Sequence, residues 1–429
     1  MTQRTQHLLL FPLALVLFEF STYIGNDMIL PGMLAVIHEF NAQVSSVPTA
    51  MTAYLLGGAA LQWLLGPLSD RIGRRPVLLT GVLLFTLSCL LTLVVNTIEQ
   101  FFILRVIQGF GLCFITAVGY AAIQETFDET TAVKVTALMA NVALIAPLIG
   151  PLAGAIFITI APWRATFIFI AAISLISFFG LYRFMPRHTP VATNLPFSWQ
   201  SIASDYRAVL THRRFALGTL AISFASLPTL MWIGQAPVIL MVNAGLSPIA
   251  LGLWQIPVFA ALILGNIIVA KLVERYPVEH LVHVGTPLLL VGLLCAWVAM
   301  LIAPEQYIWL VIGMTICAAG LGIINAALTR LTLFATPVAK GTVSAVFSMI
   351  TMLIYTIGVE IVAIGYTWGG NLFFSSMGLC CGFAFLSCVK RFTGHSFVGF
   401  CQALLANKGL AHMPNKDDPA KNTRDSVDV

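Results

Sequence analysis

Residues 8–33 read LLLFPLALVLFEFSTYIGNDMILPGM and form one long apolar stretch. A helix that crosses a bilayer needs about 20 mainly apolar residues, so this stretch predicts a membrane-spanning helix. It nevertheless contains two carboxylates, Glu19 and Asp27, and no basic residue. A charged side chain at the centre of a bilayer costs about 2.5–3.5 kcal/mol on insertion scales. That cost indicates that the two acids serve a function.

The two carboxylates belong to a polar stripe on this helix. Glu19, Tyr23, Asn26 and Asp27 follow the spacing i, i+4, i+7 and i+8, which places them on one helical face. At 1.5 Å per residue the carboxylates lie about 12 Å apart along the axis. We interpret the stripe as the wall of a water-accessible cavity whose acids gain and lose protons. The alternative is a structural role, in which each acid is paired with a polar neighbour.

The composition of the whole chain is that of a helical membrane protein. Of its 429 residues, 59% are hydrophobic and 9% are charged. Soluble domains carry about 25% charged residues. The eight cysteines include no Cys-x-x-Cys pair, so we expect neither a metal site nor a disulfide framework, and we expect no cofactor.

Apolar stretches recur along the chain and predict an all-α protein with twelve transmembrane helices in two six-helix halves. The predicted spans are 8–33, 46–67, 76–96, 99–123, 131–160, 165–185, 215–242, 249–272, 279–303, 307–333, 342–368 and 370–392. The predicted units are an N-terminal six-helix bundle (1–185), a cytoplasmic connector (186–214), a C-terminal six-helix bundle (215–393) and a disordered cytoplasmic tail (394–429).

The basic residues predict the orientation of the chain. With both termini in the cytoplasm, every Lys and Arg except Arg105 and Arg164 falls in the cytoplasm. Cytoplasmic loops of membrane proteins carry this excess of positive charge. The net charge of +5 is therefore a signal of topology, and we expect no binding to nucleic acid.

Residues 66–76, GPLSDRIGRRP, form the most specific local motif. We expect its Gly-Pro pair to force a tight turn at the end of span 2. Asp70 is expected either to cap the next helix or to pair with another helix end, while the arginines face the inner leaflet. The order of residues resembles the signature loop of the major facilitator superfamily. The motif residues are Gly66, Asp70, Arg71, Gly73 and Arg74.

Arg105 is predicted to lie inside span 4, within the pattern RVIQG at 105–109. An arginine is always protonated and cannot stay alone in hydrocarbon. By topology Arg105 and Asp27 lie at similar depth, so we expect them to pair directly or through Gln108. In the functional interpretation Arg105 keeps Asp27 deprotonated until a proton or a substrate competes. In the alternative, a static ion pair holds two helices together.

Residues 146–154, APLIGPLAG, form a third motif in span 5. Prolines bend helices, and small residues let a neighbouring helix approach closely. The pattern resembles the antiporter motif of drug/proton exchangers within the superfamily, which implies a role in bending and sealing. The alternative is generic small-residue packing. The motif residues are Pro147, Gly150, Pro151 and Gly154.

Two further acids have open roles. Glu360 in span 11 is the one clear intramembrane acid of the second half. Glu125, near the cytoplasmic end of span 4, is either a gate or an ordinary helix-end carboxylate. Aromatic and methionine residues of the second half suit lipophilic ligands, although such residues at helical spacing commonly serve packing.

Taken together, stretches such as FEFSTYIGNDMILPGMLAV and RLTLFATPVAKGTVSA resemble the bacterial multidrug/proton antiporters of the major facilitator superfamily. The similarity covers nearly the whole chain and fails at the termini and the connector. It implies that Glu19 and Asp27 are the protonation and substrate-responsive acids and that Arg105 is the essential arginine. The substrate-binding face implied by the resemblance consists of Glu19, Tyr23, Asn26, Asp27, Met51, Gln108, Tyr120, Met139 and Asn141.

The resemblance also implies a multi-pass protein of a Gram-negative inner membrane. It implies export of cationic, neutral and zwitterionic lipophilic drugs, including chloramphenicol-like compounds, in exchange for protons. We expect a monomer in the lipid bilayer. The nearest alternative is a proton-coupled symporter for a nutrient or metabolite. A membrane enzyme is disfavoured because no catalytic or metal constellation is present in the sequence, and an ATP-driven pump because GxxxxGK[ST] is absent.

Overall fold

The computed structural model describes residues 3–186, 199–273, 276–338 and 340–393, which form helices joined by short turns. The helices are α1 (Gln3–Asp27), α2 (Met33–Glu39), α3 (Thr49–Ala60), α4 (Gln62–Ile72), α5 (Arg74–Leu91), α6 (Ile98–Phe114), α7 (Tyr120–Thr126), α8 (Glu129–Ile160), α9 (Trp163–Phe184), α10 (Trp199–Thr211), α11 (Arg213–Ala236), α12 (Pro248–Leu272), α13 (Val278–Ile302), α14 (Tyr307–Leu333) and α15 (Lys340–Thr393). Short 3-10 turns occupy Leu30–Gly32, Val44–Ser46 and Thr92–Val94, and π-helical turns occupy Ile115–Gly119 and Pro237–Asn243.

The helices coincide in position with the predicted spans. Within the described residues, nine helices are long and apolar enough to cross a membrane, or ten if α3 and α4, bent by 44°, count as one span. Predicted spans 11 and 12 both lie in α15, whose backbone leaves helical geometry at Gly370 (φ +52°, ψ −142°), so that two helices meet there at a kink. The count of twelve spans therefore stays a prediction, while the all-helical architecture is confirmed. The tail 394–429 and connector residues 187–198 lie outside the described part of the chain.

The helices pack in two groups. In the first group, α1 packs against α8 and α9, and α6 packs against α3 and α5. In the second, α14 packs against α12 and α13, and α11 packs against α15. Contacts between the groups run mainly from α3 and α4 to α15 and from α8 to α12. We call α1–α9 the N-terminal bundle and α11–α15 the C-terminal bundle. The inner end carries the arginine-rich turn before α5, and the outer end is opposite.

The first predicted span is confirmed as one candidate membrane span, Leu10–Glu39, although its α-helical geometry is interrupted after Asp27. Helix α1 ends at Asp27, and a 3-10 turn and the short helix α2 follow. Pro31 has no backbone N–H, so the carbonyl of Asp27 loses its helical hydrogen-bond partner. The carboxylate of Asp27 therefore lies at a helix end, among carbonyl groups that need other donors.

The turn of the 66–76 motif also differs from the prediction. Helix α4 runs through Gly66 and Pro67, and the chain turns at Gly73 with φ +100°. Pro67 cannot donate to the carbonyl of Trp63, and the hydroxyl of Tyr206 in α10 donates to it instead, at 3.2 Å. Burial raises the pKa of Tyr206, which keeps the phenol protonated as a donor. Because Pro67 leaves the carbonyl of Trp63 without a helical donor, Tyr206 can bind it and hold the connector helix α10 against α4.

Many large apolar side chains on the outside of the bundles are exposed. Examples on the N-terminal bundle are Leu87, Ile103, Ile176 and Phe179. A soluble protein rarely exposes apolar surface on this scale. The outer surface is therefore suited to contact lipid.

Candidate functional site

A cavity of about 420 Å³ lies between the bundles at the inner end. Both bundles and the connector helix line it. The lining residues are Gln62, Gly66, Pro67, Asp70, Arg74, Thr116, Ala117, Tyr120, Ala121, Gln124, Asp205, Tyr206, Gly341, Thr342, Ser344, Ala345 and Ser348. Of the predicted substrate-binding residues, Tyr120 alone lines this cavity within the described part of the chain. Asp70, Arg74 and Gln124 belong to the inner end, so the cavity lies on that side of the bundles.

Tyr120 joins the cavity to the first acid of α1. Its hydroxyl donates to Oε1 of Glu19 at 3.1 Å. The side chain of Glu19 is fully buried, and its Oε2 has no hydrogen-bond partner among the described residues. A buried carboxylate with a single donor is costly when charged, and a proton or a cation relieves that cost. Glu19 is therefore separated from the cavity by the side chain of Tyr120 alone, in a site that favours binding of a proton or a cation to the carboxylate.

Arg105 of α6 lies fully buried against the end of α1. Its Nη1 donates to the carbonyl of Gly25 at 2.9 Å, and its Nη2 donates to the carbonyl of Asn26 at 3.4 Å. These carbonyls belong to the last turn of α1, where helical partners are missing. A cation at a helix C-terminus also matches the negative end of the helix dipole. Arg105 is thus a C-terminal cap for the helix that carries both acids.

Asp27 and Arg105 are connected through Asn26. The Nη2 of Arg105 donates to Oδ1 of Asn26 at 3.1 Å, and Nδ2 of Asn26 donates to Oδ1 of Asp27 at 2.9 Å. No direct ion pair joins Arg105 to Asp27 in the described residues. Asp27 is 3% exposed. The expectation of a pair formed directly or through Gln108 is wrong, because the amide of Asn26 lies between the two charges.

Gln108 holds Arg105 from the other side. Its Oε1 accepts from Nη1 of Arg105 at 2.9 Å, and its Nε2 donates to Oγ1 of Thr92 at 3.0 Å and to the carbonyl of Ser88 at 3.3 Å. Gln108 therefore connects the guanidinium to the end of α5, away from Asp27. The sequence pattern located Gln108 near Arg105 but could not give the direction of this contact.

Close packing of α3 on α6 fixes the position of Arg105. A Cβ added to Gly57 would collide with the carbonyl of Val106, and one added to Gly109 would collide with the carbonyl of Tyr54. This contact brings Nε of Arg105 to 3.2 Å from the carbonyl of Ala50. The guanidinium also lies 4.6 Å from the ring centroid of Tyr54, a cation–π contact that the sequence analysis missed. The glycines of spans 2 and 4 were the sequence feature from which this close helix packing could have been predicted.

The span 5 motif packs directly against the second acid. A Cβ added to Gly150 would come within 2.7 Å of the Cβ of Asp27, and one added to Gly154 would collide with the carbonyl of Met28. Helix α8 continues through Pro147 and Pro151. The two glycines allow α8 to lie on the end of α1. A movement of α8 must therefore move the surroundings of Asp27.

The residues of the 66–76 motif form an ionic cluster at the inner end. Arg74 forms ion pairs with Asp70 and with Glu125 at the end of α7, the latter at 2.7 Å, and donates to the hydroxyl of Ser69. The N-cap residue of α5 is Gly73, without a side-chain cap. Asp70 therefore does not cap α5 but pairs within the turn. Glu125 is a partner of this turn, and Arg71 lies beside it on the last turn of α4.

The other predicted residues are less tightly grouped. Met51 and Met139 are buried, and Tyr23 is half-buried. The side chain of Asn141 lies outside the described residues. The sequence analysis missed Thr49 and Thr52, whose hydroxyls donate to Glu360 at 3.1 and 2.8 Å. Their spacing of three residues at the start of a span places both hydroxyls on one helical face, and this was the sequence feature that could have drawn attention to them.

Comparisons with known proteins give the family. The chain matches the Major Facilitator Superfamily over residues 15–359. A protein named Multidrug transporter MdfA from Yersinia pestis bv. Antiqua (strain Angola) is 52% identical over 391 residues, covering 91% of this chain and 95% of the relative. The protein of that name from Escherichia coli O6:H1 is 52% identical over 384 residues, covering 90% and 93%.

Solved structures share the fold at low sequence identity. A crystal structure of a D-xylose-proton symporter has a TM-score of 0.72 at 15% identity, covering 91% of this chain and 100% of that chain. A partially occluded inward open conformation of the xylose transporter XylE from E. coli has a TM-score of 0.66 at 16% identity, covering 88% and 97%. The family match over residues 15–359 and the 52% identical relatives show that the chain belongs to the Major Facilitator Superfamily of membrane transporters.

Proposed function

We propose that the protein exports lipophilic drugs in exchange for protons by alternating access. Relatives that are 52% identical over most of the chain carry the name multidrug transporter. The observation that carries the proton part is the pair of buried acids on α1. One of them, Glu19, contacts the cavity wall through Tyr120, and the other, Asp27, contacts the Arg105 network through Asn26.

The inward-facing cavity is the entry route. A drug enters from the cytoplasm or the inner leaflet and releases a proton from Glu19, Asp27 or both. A cationic drug does so by competing for the negative charge. A neutral drug has no charge to compete with and acts by donating hydrogen bonds to the carboxylate, which stabilise its charged form and so release the proton. After the bundles rock, protons from the outer side reload the acids and release the drug.

The remaining residues take the roles that the resemblance implies. The drug contacts the face formed by Glu19, Tyr23, Asn26, Asp27, Met51, Gln108, Tyr120, Met139 and Asn141. The N-terminal unit (1–185) and the C-terminal unit (215–393) rock about the connector 186–214. The motif residues that guide this motion are Gly66, Asp70, Arg71, Gly73, Arg74, Pro147, Gly150, Pro151 and Gly154. Coupling requires that proton and drug bind the two states with different affinity.

The site of action is the inner membrane of a Gram-negative bacterium. The protein acts there as a transporter and not as an enzyme. We propose that it works as a monomer in the bilayer, with drugs and protons as its ligands, and that nucleic acid is not among its partners. The basic residues at the inner end are explained by membrane topology.

The test is proton release on drug addition to detergent-solubilised protein. We expect Asp27→Asn to abolish the release seen with the unsubstituted chain, because the amide cannot exchange a proton. Glu39→Gln is the matched control: Glu39 is an acid at the outer end of the same bundle that accepts from Trp163 at 2.7 Å and pairs with Arg164. Unchanged proton release in Asp27→Asn removes Asp27 from the mechanism. Uptake of a nutrient together with protons in sealed vesicles, without drug export, supports the symporter instead.

A further inference from the structure

Glu360 of α15 joins the two bundles. Oγ1 of Thr49 donates to Oε1 of Glu360 at 3.1 Å, and Oγ1 of Thr52 donates to Oε2 at 2.8 Å. The two threonines are three residues apart in the first turn of α3, so their hydroxyls lie on the same helical face. Both oxygens of an acid in the C-terminal bundle are therefore held by hydroxyls of the N-terminal bundle.

This contact lies at the outer end, opposite the cavity. Thr49 begins α3 directly after the loop that follows α2, whereas the cavity is lined further along the chain by Gln62 and Gly66. Apolar packing joins the bundles beside the acid: a Cβ added to Gly234 of α11 would lie 3.0 Å from Val359 and 3.6 Å from Met51. The bundles are thus closed against each other at the outer end while the inner end holds the cavity.

The turn of α3 that carries the threonines is also held by Arg105. Nε of Arg105 donates to the carbonyl of Ala50, which lies between Thr49 and Thr52. The same guanidinium donates to Asn26, which donates to Asp27. A continuous path of hydrogen bonds and one helical turn therefore leads from Asp27 to Glu360.

We propose that Glu360, Thr49 and Thr52 form an outer latch that holds the transporter in its inward-facing state and is coupled to Asp27 through Arg105. The inference rests on the alternating-access function proposed above. Opening the outer end separates α3 from α15 and must break both hydrogen bonds. A change at Asp27 shifts Asn26 and Arg105, and Arg105 in turn moves the turn that presents the two hydroxyls. Glu360 is a positioning residue in this scheme and need not touch the drug.

The test compares two double variants, one that removes both hydroxyls and one that keeps them. Thr49→Val/Thr52→Val keeps the shape of the threonines and removes both donors, whereas Thr49→Ser/Thr52→Ser keeps the donors. Spin labels at Gln43→Cys and Thr367→Cys, both exposed positions at the outer end, report the opening in a cysteine-free background that retains transport. We expect the valine variant to raise the ratio of outward-open to closed molecules about 25-fold, the product of about fivefold for each of the two hydrogen bonds lost. The serine variant should match the unsubstituted chain.

Two single variants sharpen the reading of that experiment. Glu360→Gln keeps one acceptor oxygen, so its opening should lie between those of the unsubstituted chain and the valine variant. Glu39→Gln is the matched control, because Glu39 accepts from Trp163 and pairs with Arg164 within the N-terminal bundle alone. It should leave the distance distribution unchanged. Identical distributions for the valine and serine variants would overturn the latch.

The coupling between Asp27 and the outer latch is tested by the response of the same distances to drug. In the unsubstituted chain, addition of drug should shift the distances toward the open outer end. With Asp27→Asn the shift should be lost, and the effect of the valine variant should not add to that of Asp27→Asn. Strictly additive effects would contradict the path through Arg105. If the unsubstituted chain neither changes distance nor releases protons on drug addition, the proposed function fails; if it does both while valine and serine variants coincide, only the latch fails.

Discussion

The two bundles differ in what they bury. The N-terminal bundle encloses Glu19, Asp27 and Arg105, none of them more than 3% exposed. The buried polar groups of the C-terminal bundle include the neutral pair Trp232 and Gln255, joined by a hydrogen bond of 2.6 Å from Nε1 of the indole to the amide oxygen. Its intramembrane acid, Glu360, points across to the N-terminal bundle.

The difference shows what buried charge demands of a membrane protein. Arg105 is stabilised by contacts from α1, α3 and α6, because a charge in a low-dielectric interior must be hydrogen-bonded on all sides. Such a network fixes its helices relative to one another. Apart from His283, the buried polar side chains of the C-terminal bundle in the described residues are uncharged hydroxyls and amides, which impose no comparable constraint. Under the proposed function, this bundle adapts to ligands of different shape while the acids of the N-terminal bundle exchange the proton.

The largest effect is expected for Arg105→Lys. Lysine keeps the charge but has one nitrogen, which cannot reach the carbonyls of Gly25 and Ala50 and the amide of Asn26 together. Each lost hydrogen bond to a charged group costs about 1.5–3 kcal/mol. Drug export should fall to background, measured as efflux from sealed vesicles with an imposed pH gradient. Export at the rate of the unsubstituted chain would show that charge alone is sufficient.

The next effect tests the contact of α8 with the end of α1. Gly154→Ala places a methyl group against the carbonyl of Met28 and forces the helices apart, at a typical overpacking cost of about 1–3 kcal/mol. We expect a lower melting temperature in detergent and weaker drug-induced proton release. Gly378→Ala in the C-terminal bundle is the control, because the nearest heavy atom to its added Cβ is Cδ2 of Leu293 at 3.4 Å, an ordinary contact distance. Equal losses in both variants would mean that helix packing at Gly154 is not the cause.

A smaller effect is expected in the neutral bundle. Trp232→Phe removes the indole donor and leaves the amide oxygen of Gln255 buried without it, which costs about 1–3 kcal/mol of stability. Thermal unfolding should detect this loss. Drug-induced proton release should be retained, because the acids lie in the other bundle. Loss of proton release in a folded Trp232→Phe protein would contradict the inference that proton release depends on the N-terminal bundle and not on the C-terminal bundle.

The smallest effect is expected for Tyr206→Phe. This substitution removes the hydroxyl that occupies the carbonyl of Trp63, at a cost of about 1 kcal/mol. Hydrogen exchange of α10 should increase while export stays close to normal. Pro67→Ala should have a similar effect on α10, because an alanine N–H can take the same carbonyl within α4. Unchanged exchange in both variants would show that the connector helix is held by other contacts.

The sequence predicted the features that depend on spacing and composition. The helices, the stripe on α1 and the close approach of α8 follow from periodicity and small residues. The partner of Asp27 did not follow, because five amide or carbonyl oxygens accept from Arg105 and only the coordinates fix which side chain lies between. The contact of Glu360 was also beyond reach, since it joins residues more than 300 positions apart. The break at Asp27 was predictable from Pro31 alone, had the missing N–H been traced to its acceptor.

The π-helical turn Ile115–Gly119 comes immediately before Tyr120, the residue that joins the cavity to Glu19. Such a turn holds one residue more than the α geometry on either side. Its conversion to α geometry would rotate the chain beyond it by about 100°, the angle of one residue. Tyr120 would then turn away from Glu19 and its hydrogen bond to the carboxylate would break. A change confined to a few peptide units would thus disconnect the carboxylate from the cytoplasm.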